Sequence, residues 1–275
     1  MKRVWVDYSP YLIITVFLMV FSGAFAFFYF MPETYLPRDM CLRWYEPLII
    51  LLSGFYLFKI RTFNAKDLAV SLFLGVTACF SRTAFDGYSC LDALMVAVSY
   101  YSSCQIFRKY AQDKKFFDLN IKSNIKSFLL GIVFAMPFVI IGNLSLFVID
   151  GIPNCDFSIY NIFIQFYKAL STVVVTEIWR FFLLAVVLDL FKGEIYKNSC
   201  NKILVYILMT LPHCLSTSLF MVKGKPFLAV VRLLILMIIS HELPISWIMK
   251  TTNLQTAIGF EWIINFARNL FPSIL

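Results

Sequence analysis

Residues 10–30 contain no charged side chain, and a helix needs about 20 such residues to cross the ~30 Å hydrocarbon core of a bilayer. Further apolar segments follow near 45–60, 67–81, 91–107, 127–149, 158–191, 203–222, 227–248 and 254–272. In hydrocarbon every backbone N–H and C=O must find its partner within the chain, so segments of this kind fold as helices packed on helices. The expected fold is all-α, a polytopic membrane helical bundle of about eight or nine transmembrane helices. The second and third segments are short, which leaves the count open by one or two.

Composition points the same way. With 60% hydrophobic and 15% charged residues and a mean hydropathy of +0.79, neither a soluble globular enzyme nor a disordered chain fits. The net charge of +8 sits mostly in short segments between the apolar runs, where cytoplasmic loops are positive. The bilayer is therefore the expected partner and nucleic acid is not. The N-terminus begins MKRVW like a signal peptide, but its apolar part outruns the usual 7 to 15 residues and lacks a small-x-small cleavage site, so it reads as a retained first helix. Basic loops at 59–67, 107–126 and 191–202 alternate with an acidic one at 150–156. This pattern predicts an integral protein of the cell membrane with a cytoplasmic N-terminus and an external C-terminus; the turn Lys223-Gly224-Lys225 alone runs against it. Cys41, Cys90 and Cys155 fall on the outer side in this topology, and unpaired packing cysteines are expected over a disulfide between two of them.

A charge at the centre of a bilayer costs about 2.5–3.5 kcal/mol on insertion scales, so the few at membrane depth demand a partner or a role. They are Glu177 and Arg180, His213, His241 with Glu242, and Glu261 with Asn265. All lie in the C-terminal half, and the first 150 residues look chemically plain beside it. Glu177 and Arg180 are three apart on one helix and can pair; Glu261 and Asn265 are four apart and share a face. Interhelical polar contacts of this sort are worth about 0.6 kcal/mol each. His213 follows Pro212, whose ring frees a backbone carbonyl that an imidazole can satisfy. His241 and Glu242 are adjacent, ~100° apart around an α-helix, and are expected to serve structure or a helix end. Against these packing roles stands a chemical one. A buried carboxylate beside an arginine, an imidazole from a second helix and an amide from a third are the parts of a hydrolytic site.

The segments VTEIWRFFLL, MTLPH and TTNLQTAIGFEWIINF together resemble the CAAX protease and bacteriocin-processing family of membrane-embedded peptidases, also called the Abi or type II CAAX prenyl endopeptidase family. Its pattern is Glu-Glu-x-x-x-Arg, Phe-x-x-x-His and His-x-x-x-Asn on successive helices, and the resemblance spans residues 125 to 272. It implies N-terminal membrane helices of unassigned role over 1–125 and a peptidase core over 126–275. The catalytic set it implies is Glu177 as base, His213 as its partner on water, Asn265 as oxyanion donor and Arg180 tuning Glu177, with Glu261 in the place of the family's first oxyanion-site histidine. The departures are Thr176 where a first glutamate stands, one residue fewer before Arg180, Met209 for phenylalanine, and Glu261 itself. An ionised Glu261 repels an oxyanion, and only a protonated one donates to it.

The resemblance implies a peptide or protein substrate delivered in the membrane and no cofactor. Zinc is the minor alternative, since two histidines and up to three carboxylates are present without an HExxH spacing. Two other classes remain. One is a non-catalytic membrane protein, an immunity or regulatory pseudoenzyme. The other is a transporter whose buried charges line a solute path. A peptidase gathers Glu177, His213 and Asn265 at one place, whereas a path strings its charges along the membrane normal.

Overall fold

Each apolar segment of the sequence forms helix. The computed structural model describes residues 9–30, 45–59, 63–79, 89–112, 116–117, 120–150, 157–194, 199–222 and 226–270, and among these all regular structure is helical. The helices are α1 (Ser9–Phe30), α2 (Glu46–Lys59), α3 (Ala65–Ala78), α4 (Ser89–Lys109), α5 (Ile121–Asp150), α6 (Ile159–Leu190), α7 (Ser199–Val222), α8 (Phe227–Met237), α9 (Leu243–Thr251) and α10 (Leu254–Leu270). Between α8 and α9 the chain does not break but widens into a π-helical turn, Ile238–Glu242. Three helical stretches are long and apolar enough to cross a membrane by length and composition: Ser9–Phe30, Cys90–Lys109 and Ile121–Ile140. Cys41, Cys155 and the 223–225 turn lie outside the described residues, while Cys90 is exposed and carries no disulfide.

The centre of the molecule is α6. At 32 residues it is about 48 Å long, and nearly every side chain from Ala169 to Asp189 is buried, whichever way it points. A helix buried all round needs neighbours on every side, and α6 has α3, α4, α7 and α10 against it. Aromatic side chains fix the N-terminal helices to it. Phe21 of α1 stacks on Trp179, Phe107 of α4 stacks on Phe181, and Tyr56 of α2 meets Phe182 edge to face. Because these contacts surround the turns carrying Glu177 and Arg180, the charges are sheltered by protein rather than lipid.

Close helix approach comes from small residues. A Cβ on Gly131 of α5 would strike the Thr256 carbonyl of α10, and one on Gly259 would strike the Phe128 carbonyl. The two helices thus cross backbone to backbone, as small-residue interfaces in membranes do. In the N-terminal half, Gly75 of α3 faces Ala93 and Ala97 of α4, and Ser102 of α4 donates to the Ser53 carbonyl of α2 at 3.0 Å.

That half is not chemically plain. Glu46, Asp67 and Asp92 are all buried, and Asp67 accepts two 2.8 Å bonds from the Arg108 guanidinium. These acids sit in the first turns of α2, α3 and α4, where the positive end of the helix dipole favours them. The expectation of a chemically plain N-terminal half overlooked that helix ends here are packed inside the bundle.

One end of the bundle holds an ion cluster. Asp189, at the end of α6, takes Lys59 from α2 and Lys109 from α4 at 2.7 Å each, and the Tyr110 hydroxyl at 2.9 Å. At the same end Tyr11 of α1 donates to Asn201 of α7 at 2.6 Å and meets Phe191 edge on.

Candidate functional site: a buried carboxylate, arginine and histidine cluster

Four elements deliver side chains to one point beside the middle of α6. Arg180, with none of its side chain exposed, is the hub. Its Nη1 lies 2.5 Å from Glu177 Oε1 on the same helix and 3.7 Å from Glu261 Oε2 on α10. Its Nη2 lies 2.6 Å from Glu242 Oε2 in the π turn and 2.7 Å from His213 Nδ1 on α7. His213 Nδ1 is also 2.8 Å from Glu242 Oε2, and the Trp179 ring covers the imidazole at 5.4 Å between centroids.

The π turn explains how Glu242 arrives here. Its wider circuit lets one more residue into the turn and changes the direction in which the following side chains point; such turns recur at functional sites. Glu242 Oε2 faces Arg180 and His213, while Oε1 is 3.2 Å from His241 Nδ1. His241 keeps 27% of its side chain exposed and is the edge at which the cluster approaches the surface. The expectation that Glu242 serves only structure or a helix end did not foresee its place at the centre. Its sequence signal was a carboxylate in an apolar run, two residues before Pro244, without a cation one turn away.

On α10, Glu261 Oε1 lies 3.3 Å from the Thr176 hydroxyl of α6, and the Asn265 amide donates to the Glu261 carbonyl at 3.2 Å and to Oε1 at 3.4 Å. Thr176, where the resemblance expects an acid, is thus a neighbour of the acid at 261. Asn265 supports Glu261, and among the described residues its hydrogen bonds go to Glu261 rather than to Glu177 or His213. The structure brings Glu177, Arg180, His213 and Glu261 together and adds Glu242; Asn265 stands one step removed.

Protonation follows from the donor inventory. A guanidinium only donates, so the Arg180 contact is a hydrogen bond when His213 Nδ1 carries the lone pair, and the Glu242 contact is one when Nδ1 carries the proton. In the second tautomer Nε2 holds the lone pair that a base or ligand needs. Three carboxylates face one guanidinium, so with neutral imidazoles the formal sum is −3 + 1 = −2. A buried charge of that size is untenable in a low-dielectric site, and the cluster must acquire positive charge.

One atom from each of Glu177, His213 and Glu261 lies within 4.8 Å of the other two. A single water or ion can therefore touch all three. Glu177 Oε2 and Glu261 Oε2 are buried with no hydrogen-bond donor among the described residues.

No family model matches this sequence, no curated protein is significantly similar to it, and no solved structure is significantly similar to its fold.

Proposed function

We propose that the chain is an intramembrane peptidase of the CAAX protease and bacteriocin-processing type, a bundle of eight or nine spans that hydrolyses a peptide or protein segment delivered through the membrane. The observation that carries this reading is the meeting of Glu177, His213 and Glu261, from three helices, within 4.8 Å of one another. Water held against Glu177 Oε2 gives its proton to that carboxylate as its oxygen adds to the substrate carbonyl. The same proton then passes to the leaving amine as the C–N bond breaks. His213, with Nδ1–H on Glu242, accepts a hydrogen bond from the same water through Nε2 and stays neutral, so that it orients the water while Glu177 carries the proton. The oxyanion forms on the α10 side, where Glu261 must be neutralised before it can help. Arg180 holds Glu177 and Glu242 in place by hydrogen bonds of 2.5 and 2.6 Å.

The charges of the cluster gather at one point among the described residues, which speaks against a conduction path. The pseudoenzyme reading draws on Glu261 in the histidine's place and on the burial of the whole cluster. Glu177→Gln in the purified, detergent-solubilised protein tests the choice, with cleavage of membrane-anchored peptides read by mass spectrometry. A positioned general base is worth about 10²–10⁴-fold, so cleavage is expected to fall at least 100-fold while helical content is unchanged. Undiminished processing of a verified substrate by the variant overturns the assignment of the base, and no cleavage by the native chain across the peptide set favours the pseudoenzyme.

A further inference from the structure

The α3–α4 hairpin carries two free thiols at its joined end, Cys79 and Cys90, and neither takes part in the buried cluster. The contacts along the hairpin fix how the two face each other. At the open end Asp67, in the first turn of α3, meets Gln105 and Arg108 of α4. Further on, a Cβ on Gly75 would meet the Ala93 carbonyl oxygen at 2.9 Å and the Ala97 Cβ at 3.3 Å. The helices are therefore antiparallel, and each step toward the end of α3 is a step toward the start of α4. Cys79 follows Gly75 by four residues, and the helical path continues through it, because its N–H donates to the Gly75 carbonyl at 3.2 Å. Cys90 precedes Ala93 by three residues and Ala97 by seven. At 3.6 residues per turn these spacings return each cysteine to the face that its helix turns toward the other.

Level, side and distance agree. At 1.5 Å per residue Cys79 lies about 6 Å beyond Gly75, and Cys90 about 7.5 Å beyond the point midway between Ala93 and Ala97. Each stands about 40° off the line of contact. Because both helices are right-handed and are followed in opposite chain directions, the two offsets fall on the same side of the interface. A glycine contact brings helix axes to the short end of the usual range of about 8–10 Å. With Cα atoms about 2.3 Å from each axis, facing Cα atoms come within about 4–6 Å, and a disulfide needs about 4.4–6.8 Å. We propose that Cys79 and Cys90 are a redox-active pair that closes to a disulfide and staples the joined ends of α3 and α4.

The two thiols differ in access as such a pair requires: Cys90 is exposed and Cys79 only partly so. The Cys90 thiolate attacks a small-molecule or protein disulfide, one donor thiol leaves, and Cys90 is held as a mixed disulfide. The Cys79 thiolate then attacks Cys90 Sγ and the second donor thiol leaves. In sum the pair gives up two protons and two electrons, and the donor disulfide is reduced to two thiols. Closure turns residues 80–88 into a tied loop and takes conformational freedom from the unfolded chain. The pair serves no step of the peptidase chemistry, so it stands whether or not the chain cleaves peptides.

Glutathione disulfide is the probe. The full chain, purified in detergent and fully reduced, is exposed to it, alkylated and mapped by mass spectrometry. A Cys79–Cys90 linked peptide is expected, lighter than the reduced pair by two hydrogens. Ring closure at high effective concentration outruns attack by a second donor molecule, so glutathione on Cys90 is expected to be about 10-fold or more below its level in Cys79→Ser. Cys200, exposed at the start of α7, is the standard of exposure and is expected to carry equal glutathione in both proteins. Reduction is expected to lower the melting temperature of the native chain and to leave that of Cys79→Ser unaltered. Glutathione that accumulates on Cys90 equally in both proteins overturns the pair, as does a Cys90 that stays unmodified or links instead to Cys41 or Cys155. A linked pair whose reduction leaves the melting temperature unchanged overturns the staple.

Discussion

Arg180 carries the strain of the cluster, because it alone among the four charged members at its core is always positive. It contacts Glu177, Glu242 and His213 within 2.7 Å. Removing one partner of a buried pair costs about 3–5 kcal/mol, since the remaining charge is left uncompensated. Arg180→Met leaves three carboxylates without their common cation and is expected to cost that much or more. Glu242→Gln leaves Arg180 with Glu177 and Glu261 and keeps an oxygen facing the guanidinium, so its cost is expected to be smaller, about 1–3 kcal/mol. Thermal unfolding in detergent, followed by circular dichroism, checks the order; a Glu242→Gln protein less stable than Arg180→Met would show that the hub is misplaced. At this scale the sequence was informative where the spacing is helical. Glu177 with Arg180, and Glu261 with Asn265, could be paired by counting three and four residues. Glu242 could not, because its direction depends on a π turn that a 3.6-residue period does not reveal, and because its partners come from α6 and α7.

Helix positions were legible for a different reason: a bilayer-spanning helix must be continuously apolar, so its length is written in the composition of one segment. What composition does not record is how closely two helices approach. The α5–α10 crossing, which sets the position of Glu261 relative to α6, depends on Gly131 and Gly259, where a single methyl would meet a backbone carbonyl of the facing helix. Forced separation of packed elements costs about 1–3 kcal/mol, and either Gly131→Ala or Gly259→Ala is expected to destabilise the bundle by that amount. Gly54 of α2 has no atom within 4 Å of its would-be Cβ. Gly54→Ala is therefore expected to be neutral or to gain about 0.5–1 kcal/mol from reduced backbone freedom. The three variants form one experiment, and equal melting temperatures across them would mean that α5 and α10 do not cross through these glycines. The polarity of the N-terminal half was misjudged for a related reason: apolar content locates helices, whereas the burial of Glu46, Asp67 and Asp92 is decided by which helix ends pack inward.

At the scale of the molecule, the cluster that joins Lys59, Lys109 and Asp189 gives a physical meaning to the charge bias of the loops. It ties the ends of α2, α4 and α6 into one layer, and the Tyr11–Asn201 bond adds the starts of α1 and α7. Helices that alternate in direction and meet in this layer must send their opposite ends to the other side. The positive-inside rule predicts that the layer holding Lys59 and Lys109 faces the cytoplasm. Two natural cysteines sit at the opposite ends of this arrangement. Cys200, exposed at the start of α7, lies in the lysine layer. Cys90, exposed at the start of α4, is about 30 Å along the helix from Lys109. In intact cells producing variants that keep one of these cysteines alone, a membrane-impermeant thiol reagent is expected to label Cys90 and to leave Cys200 unmodified until the membrane is opened. The reverse pattern would invert the topology and place the basic layer outside. Labelling of both in intact cells would mean that α4 does not span, since its two ends could then lie on one side, and the shelter that α6 needs for its buried charges would have to come from somewhere other than a ring of crossing helices.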